Sequence, residues 1–193
     1  MLNCHYKIVL ASGSPRRREL LSGLGLDFEV RVLPDIDESY PKGLTGVEIA
    51  QAISHKKADA YRETLQDNEL IITADTIVYM DGQVIGKPAD ENDARNMLRK
   101  LSGRVHQVVT GVTLTSKDFE RSFVSVSNVT FSKITNEEIE YYINNYHPLD
   151  KAGAYGIQEW IGFVGVERIE GSYFNVMGLP IQRLYQELKK IES

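Results

Sequence analysis

Short runs of aliphatic and β-branched residues alternate along the chain with segments that carry their own helix-start signals, and such alternation calls for an α/β arrangement with a mixed sheet. Residues 8–11 form an apolar run that halts at Ser12-Gly13-Ser14-Pro15, after which Leu20, Leu21 and Leu24 recur at helical spacing as far as Gly25. Ser14 is a good N-cap, Pro15 suits the first helical position because its missing N–H is not needed there, and Gly25 can end the helix. A strand over residues 28–33 is expected next. Thr45-Gly46-Val47-Glu48 is a capping box, predicting a helix that reaches Leu65 with Val47, Ala50, Ile53, Ala58 and Tyr61 on one face.

Residues 70–73 read as a strand, and residues 76–80 and 83–85 as a hairpin about Asp81-Gly82, which puts Asp75 at the junction. A capped helix over 90–101 precedes two long strands, 105–115 and 122–131. In the second strand Val124 and Val126 have one parity and Val129 and Phe131 the other, so a bulge near Ser127 is expected. Thr135 to Glu138 repeats the capping box ahead of a short helix that must stop before Pro148. Residues 150–171 are rich in glycine and read as a compact functional loop, and a last helix runs over 179–191. No repeat or linker divides the chain, so residues 1–193 are read as a single domain.

With 42% hydrophobic and 25% charged residues, the 193-residue chain has enough apolar material for a true core. No apolar run approaches the roughly 20 residues that span a bilayer, and the first residues lack a basic-then-apolar leader, so no membrane partner and a cytoplasmic location are expected. A lone Cys4 cannot close an intramolecular disulfide. The four histidines are too scattered for zinc spacing, so any metal must be held by oxygen. A net charge of −5 argues against large nucleic acids as partners while leaving small phosphates open.

Several segments could carry chemistry. Arg16, Arg17 and Arg18 stand at a helix N-terminus whose partial positive charge disfavours cations. Together with the hydroxyls of Ser12 and Ser14 and the free backbone N–H groups they suit an anion, although an exposed basic turn is the plainer alternative. Asp35, Asp37 and Glu38 lie on a loop, where acids are usually just solvated, but carboxylates facing a phosphate would hold Mg²⁺ or Mn²⁺. Asp75 follows an apolar strand and is expected to be partly buried, either as a general base or as a turn residue capping backbone N–H groups. Gly86-Lys87-Pro88 lacks the glycine spacing and the hydroxyl of a P-loop, yet Lys87 and Lys57 remain cations that could neutralise phosphate. In the run from Asp150 to Gln158 the glycines could wrap a ligand, and the amide of Gln158 can both donate and accept toward a uracil or thymine ring.

Taken together, Leu10-Ala11-Ser12-Gly13-Ser14-Pro15-Arg16-Arg17, Ala74-Asp75-Thr76-Ile77-Val78, Lys87-Pro88, the run His106 to Gly111, the run Asp150 to Gln158 and the ending Gly171 to Pro180 resemble the Maf family of nucleoside triphosphate pyrophosphatases. Five motifs in order, with that ending as a sixth stretch, cover nearly the whole chain and carry the resemblance. The runs ending in Gly156-Ile157-Gln158 and in Asn175-Val176-Met177-Gly178-Leu179-Pro180 look like the branch acting on dTTP and UTP. The resemblance implies an elongated central mixed sheet flanked by helices, two lobes around a deep nucleotide cleft, and a fold shared with inosine triphosphate pyrophosphatases. It also implies a hydrolase of nucleotide metabolism that splits the α–β bond of a nucleoside triphosphate with a divalent metal cation. Asp75 then matches the proton acceptor, and Arg16, Thr76 and Gln158 match positions tied to substrate choice. Glu38, Lys57 and Lys87 match further charged residues of the cleft, with Glu38 and Asp75 as metal carboxylates and Ser12, Ser14 and Arg17 on the phosphates. A homodimer is an open expectation. After Gln158 the family usually continues with small residues, whereas Glu159-Trp160-Ile161 stand here, and Trp160 reads as a buried core residue or a base-stacking one. A nucleotide-binding regulator of septum formation and a purine-type house-cleaning pyrophosphatase are the rival readings.

Overall fold

The computed structural model describes residues 5–191, so Cys4 lies outside it. In chain order the elements are β1 (Lys7–Leu10), α1 (Pro15–Ser22), β2 (Phe28–Val30), α2 (Gly46–Tyr61), β3 (Glu69–Met80), β4 (Gln83–Ile85), α3 (Glu91–Leu101), β5 (Val105–Thr115), β6 (Glu120–Phe131), α4 (Asn136–Tyr146), α5 (Trp160–Gly165), β7 (Val166–Glu170), α6 (Tyr173–Met177) and α7 (Ile181–Ile191). The strands form one mixed sheet in the order β2-β1-β3-β5-β6-β7, with β4 paired to β3. Strand β1 runs parallel to both β2 and β3, whereas β3–β4 and β6–β7 are antiparallel. By contacts the chain divides into two compact units, one of Met1–Thr76, Thr110–Ser125 and Gly178–Ser193, the other of Ile77–Val109 and Val126–Met177. The division falls inside β3, β5 and β6.

In the first unit, Val9, Ala11, Tyr61 and Ile71 make a core against which Leu33, Ile36 and Leu65 pack. Strand β3 is longer than the sequence pattern suggests: twelve residues run without a break through Asp75, which therefore lies within a strand and not at a junction. Polar side chains at 73, 75 and 76 look like an interruption, but each finds partners, so the ladder continues. Strand β2 is shorter than expected for the converse reason. The Arg31 N–H still donates to the Leu10 carbonyl of β1 (3.1 Å), but the Tyr61 hydroxyl donates to the Arg31 carbonyl (2.9 Å) and accepts from the Leu33 N–H (2.9 Å), so the chain leaves the ladder after Arg31.

Helix α2 opens with the expected capping box at Thr45 and Glu48 but ends at Tyr61, and Leu65 follows a single 3₁₀ turn. Val47, expected on the buried face, is exposed, and Ile49 is buried in its stead. The helix lies so close to β5 that a Cβ on Gly111 would stand 2.3 Å from the Ala50 carbonyl oxygen. A line of hydroxyls ties α2 to β5 and β6. Ser54 Oγ lies 2.8 Å from the Gln51 carbonyl oxygen and 3.0 Å from Thr113 Oγ1, which in turn lies 3.0 Å from Ser122 Oγ. His55 Nε2 lies 3.0 Å from Ser122 Oγ, with Nδ1 2.9 Å from Glu120 Oε1.

In the second unit, α3 buries Ala94, Leu98 and Leu101, and α4 buries Ile139, Tyr142 and Ile143. Arg95 joins the two helices through Glu140 (2.6 Å). The buried residues of β6, Phe123, Ser127, Val129 and Phe131, all share one parity, so the strand does not change face at Ser127; the register irregularity against β7 falls between Thr130 and Phe131. Residues 150–171, read as one loop, instead contain α5 and β7. Trp160 is half-buried, tilted against Tyr141 at 4.7 Å between ring centroids, and is not a core residue. Among the described residues no helix is long and apolar enough to cross a membrane.

His106 is 1% exposed, edge-on to Phe131 and Tyr155, with Nε2 2.7 Å from the Tyr155 hydroxyl. Burial pushes its pKa down from 6.5 to about 4. Between those values the unfolded chain binds the proton and the folded chain does not, so stability is complete above pH 6.5 and falls as pH drops toward 4, by about 3 kcal/mol from this group. Urea unfolding across that window should show the slope flattened in His106→Gln. Gly111→Ala should lower the unfolding free energy by at least about 3 kcal/mol, because backbone at the contact cannot yield as a side chain would.

Candidate functional site

Two clusters in the first unit gather most of the residues singled out in the sequence. The first is built on Arg17. Ser14 caps α1 and accepts from the Arg17 N–H (3.5 Å), with Pro15 at the first position, so the helix starts where the motif predicts. Arg17 then turns inward. Its Nε donates to the Gly178 carbonyl (2.8 Å), Nη1 to Ser12 Oγ (3.3 Å) and Nη2 to Thr76 Oγ1 (3.1 Å). Burial lowers the Arg17 pKa, the neighbouring Arg16 charge adds to this, and Asp75 and Glu38 oppose it. Thr76 Oγ1 also lies 2.9 Å from Thr110 Oγ1 and 3.3 Å from the Gly178 oxygen. Gly178 has φ 121°, a conformation that other residues rarely adopt.

Outside this clamp, Ser12, Gly13, Ser14, Pro15, Arg18 and Glu19 line a hollow of about 380 Å³ at the start of α1. Arg16 is half-buried, and Arg18 is exposed at the hollow. Thus the three arginines divide: Arg17 braces the first unit from within, while Arg18, which the sequence offers only as part of the run, reaches the opening.

The second cluster is an ion pair with a third member. Lys57, one turn beyond Ser54 on α2, places Nζ 2.7 Å from Asp75 Oδ1 and 2.9 Å from Glu38 Oε1. The Asp75 and Lys57 side chains are each 13% exposed, Glu38 59%. The loop bearing Glu38 is steadied by Asp37, which accepts from the Ser39 N–H (2.9 Å) and hydroxyl (2.8 Å) and pairs with Lys56 (2.8 Å). These bonds, that from Lys56 foremost, hold the Asp37 carboxyl well below the usual carboxylate range. Among the described residues no group of three or more His, Cys, Asp or Glu converges as a metal cage. Two carboxylates already meeting on one cation are nevertheless the hard-oxygen set that Mg²⁺ or Mn²⁺ takes when phosphate oxygens supply the rest, so the residues present fit such an ion.

The second unit carries the other two candidates. Lys87 is exposed just after β4, and the Gly86 carbonyl beside it accepts from the Gly153 N–H (2.9 Å). Gln158 is half-buried, and its Oε1 is buried without a hydrogen-bond partner. Thr110 and Gly178 belong to motifs already visible in the chain, but their bonds to Thr76 and Arg17 cross 34 and 161 residues of sequence and leave no local trace.

A mixed-sheet α/β protein with a lysine-bridged carboxylate pair beside a serine- and arginine-lined helix start is the class that this fold and site define. The Ham1 protein of Staphylococcus aureus has a similar fold, at TM-score 0.54 and 17% identity over 97% of this chain and 100% of that one. Residues 7–191 match the family described as Maf-like protein, and the chain belongs to that family. It is 63% identical to a dTTP/UTP pyrophosphatase of Phocaeicola vulgatus and 60% identical to one of Bacteroides thetaiotaomicron, in each case over 96% of both chains.

Removing Lys57 strands a mostly buried carboxylate. Lys57→Met should cost on the order of 3 kcal/mol in urea unfolding, and adding Asp75→Asn should return part of that loss, a coupling readable in a double-mutant cycle.

Proposed function

We propose that the chain hydrolyses dTTP and UTP between the α and β phosphates, releasing the nucleoside monophosphate and pyrophosphate. The observation that carries this reading is the Asp75–Lys57–Glu38 arrangement: an acid kept close to a fixed cation inside a strand, with a second carboxylate facing the same point. The curated relatives named dTTP/UTP pyrophosphatase support the substrate class.

Asp75 takes the proton of the attacking water on the carboxylate oxygen that Lys57 does not hold, which makes the water nucleophilic as it reaches phosphorus. No covalent intermediate is needed, so no serine or cysteine nucleophile is invoked. Asp75 and Glu38 would hold the divalent cation, Mg²⁺ or Mn²⁺, which when bound polarises phosphoryl oxygens and offsets their charge. Lys57 keeps the two carboxylates from repelling each other and adds positive charge where it grows in the transition state. Ser12, Ser14 and Arg16 take phosphate oxygens at the start of α1, Arg17 holds Ser12 and Thr76 in place for them, and Lys87 neutralises phosphate charge. Gln158, with its buried acceptor, reads the base, and Thr76 serves substrate choice through its place in the Arg17 clamp. A cytoplasmic site of action and the oligomeric state belong to this proposal only as expectations: a homodimer is not needed by any step.

Pyrophosphate release from a panel of nucleoside triphosphates with Mg²⁺ or Mn²⁺ tests the reading. Turnover should favour dTTP and UTP and should fall by at least about a thousandfold in Asp75→Asn with the fold intact. A folded Asp75→Asn protein with near-parental turnover, or a parent that binds nucleotides and hydrolyses none, would overturn it.

A further inference from the structure

Gln158 is the third residue of a tight turn, Gly156 to Glu159, closed by the Glu159 N–H donating to the Gly156 carbonyl (3.0 Å). That turn is braced from outside by side chains to which the reaction gives no role. The Gly156 N–H donates to the Tyr142 hydroxyl (3.0 Å), and this hydroxyl donates in turn to Glu159 Oε2. Burial first, and then the bond to Glu159, holds the Tyr142 phenol well above its usual range, so it keeps the proton it donates. The other oxygen of Glu159 faces Lys151 Nζ at 3.2 Å, and Lys151, buried, also pairs with Asp150 (2.7 Å).

The fit leaves no slack. A Cβ on Gly156 would stand 2.8 Å from Glu159 Cδ and 2.9 Å from its Oε2, so the carboxylate lies directly on the turn's backbone. The Glu159 carbonyl is itself engaged by the Gly162 N–H (2.8 Å) at the start of α5. Both ends of the turn are therefore held by one carboxylate and one phenol, and of the two residues between them Gln158 has a side-chain oxygen that is buried and unpaired.

We propose that Tyr142 and Glu159 are positioning residues that set base selectivity by fixing where Gln158 Oε1 sits; this rests on the reading of Gln158 as the base-reading residue. A buried acceptor without a partner is costly, and a base that brings an N–H to it removes the cost. Uracil and thymine carry such a proton at N3, cytosine carries a lone pair there, and a base methylated at N3 carries neither. Displacing the acceptor by a few tenths of an ångström weakens that bond without touching the groups that act on phosphate. The glutamate after Gln158 is the second post of this brace.

The test measures kcat and KM for UTP, CTP and N3-methyl-UTP with the full chain, its Tyr142→Phe, Glu159→Ala and Glu159→Gln variants, and Gln158→Ala as reference. Tyr142→Phe and Glu159→Ala should raise KM for UTP about tenfold with kcat within about twofold, and should cut the UTP-to-CTP ratio of kcat/KM by a similar factor. Glu159→Gln, which keeps an acceptor for the phenol, should recover most of the ratio, and N3-methyl-UTP should be a poor substrate for the parent alone to the extent that UTP is a good one. If Gln158→Ala lowers the ratio while Tyr142→Phe and Glu159→Ala leave it at the parental value, the brace is refuted and the base-reading role stands. If Gln158→Ala also leaves it unchanged, both fall. Should Tyr142→Phe fail to fold, Glu159→Ala decides by the same numbers.

Discussion

A carboxylate in the middle of a covered strand needs an opposite charge within reach, and for Asp75 that charge is Lys57. The requirement propagates outward. Lys57 can reach β3 only if α2 lies almost on the sheet, and α2 can lie there only if the residue beneath Ala50 has no side chain, which is the part Gly111 plays. The same closeness lets Ser54 and His55 meet Thr113 and Ser122, so the helix is hydrogen-bonded as well as packed to the strands it crosses. Glu38 joins the same ammonium, on a loop held by Asp37 and Lys56. Binding chemistry and packing are here one arrangement, since Asp75, one of the two carboxylates that would hold a metal, also fastens strand to helix through Lys57.

The local part of this architecture was legible in the chain. Capping boxes at Thr45 and Thr135 announce helix starts that the structure places to the residue, because the signal and its effect lie within one turn. Ser14 and Pro15 do the same for α1. Where the reading fails, the deciding partner is remote. Polar residues at 73, 75 and 76 suggested a broken strand because Ser54, Lys57 and Arg17, which satisfy them, come from elsewhere. Residues 31–33 read as strand because nothing nearby says that Tyr61 will take the Arg31 carbonyl and the Leu33 N–H. Alternation in β6 was misjudged when Val126, 38% exposed, was counted as inward.

The candidate site follows the same division. Its membership was visible as motifs, since Ser12, Glu38, Lys57, Asp75 and Thr76 are all prominent in the sequence, but their division of labour was not. Nothing in Arg16-Arg17-Arg18 tells which arginine turns in. Three acceptors, from Ser12, Thr76 and Gly178, choose Arg17, and two of those acceptors come from distant parts of the chain. Likewise Glu159 looked like a bulky departure from a small-residue pattern, and only the phenol of Tyr142 and the ammonium of Lys151 show why a carboxylate is welcome there.

The line Glu120, His55, Ser122 has the spacings of an acid, a base and a nucleophile in a covalent hydrolase, 2.9 Å and 3.0 Å. Ser122 is also bonded to Thr113, and through it to Ser54 and the Gln51 carbonyl, so its hydroxyl is one member of a longer line. Each hydroxyl has a single proton to give, so the sense of donation is shared by the whole line, from the His55 ring to the Gln51 carbonyl, and distances alone do not make Ser122 a nucleophile.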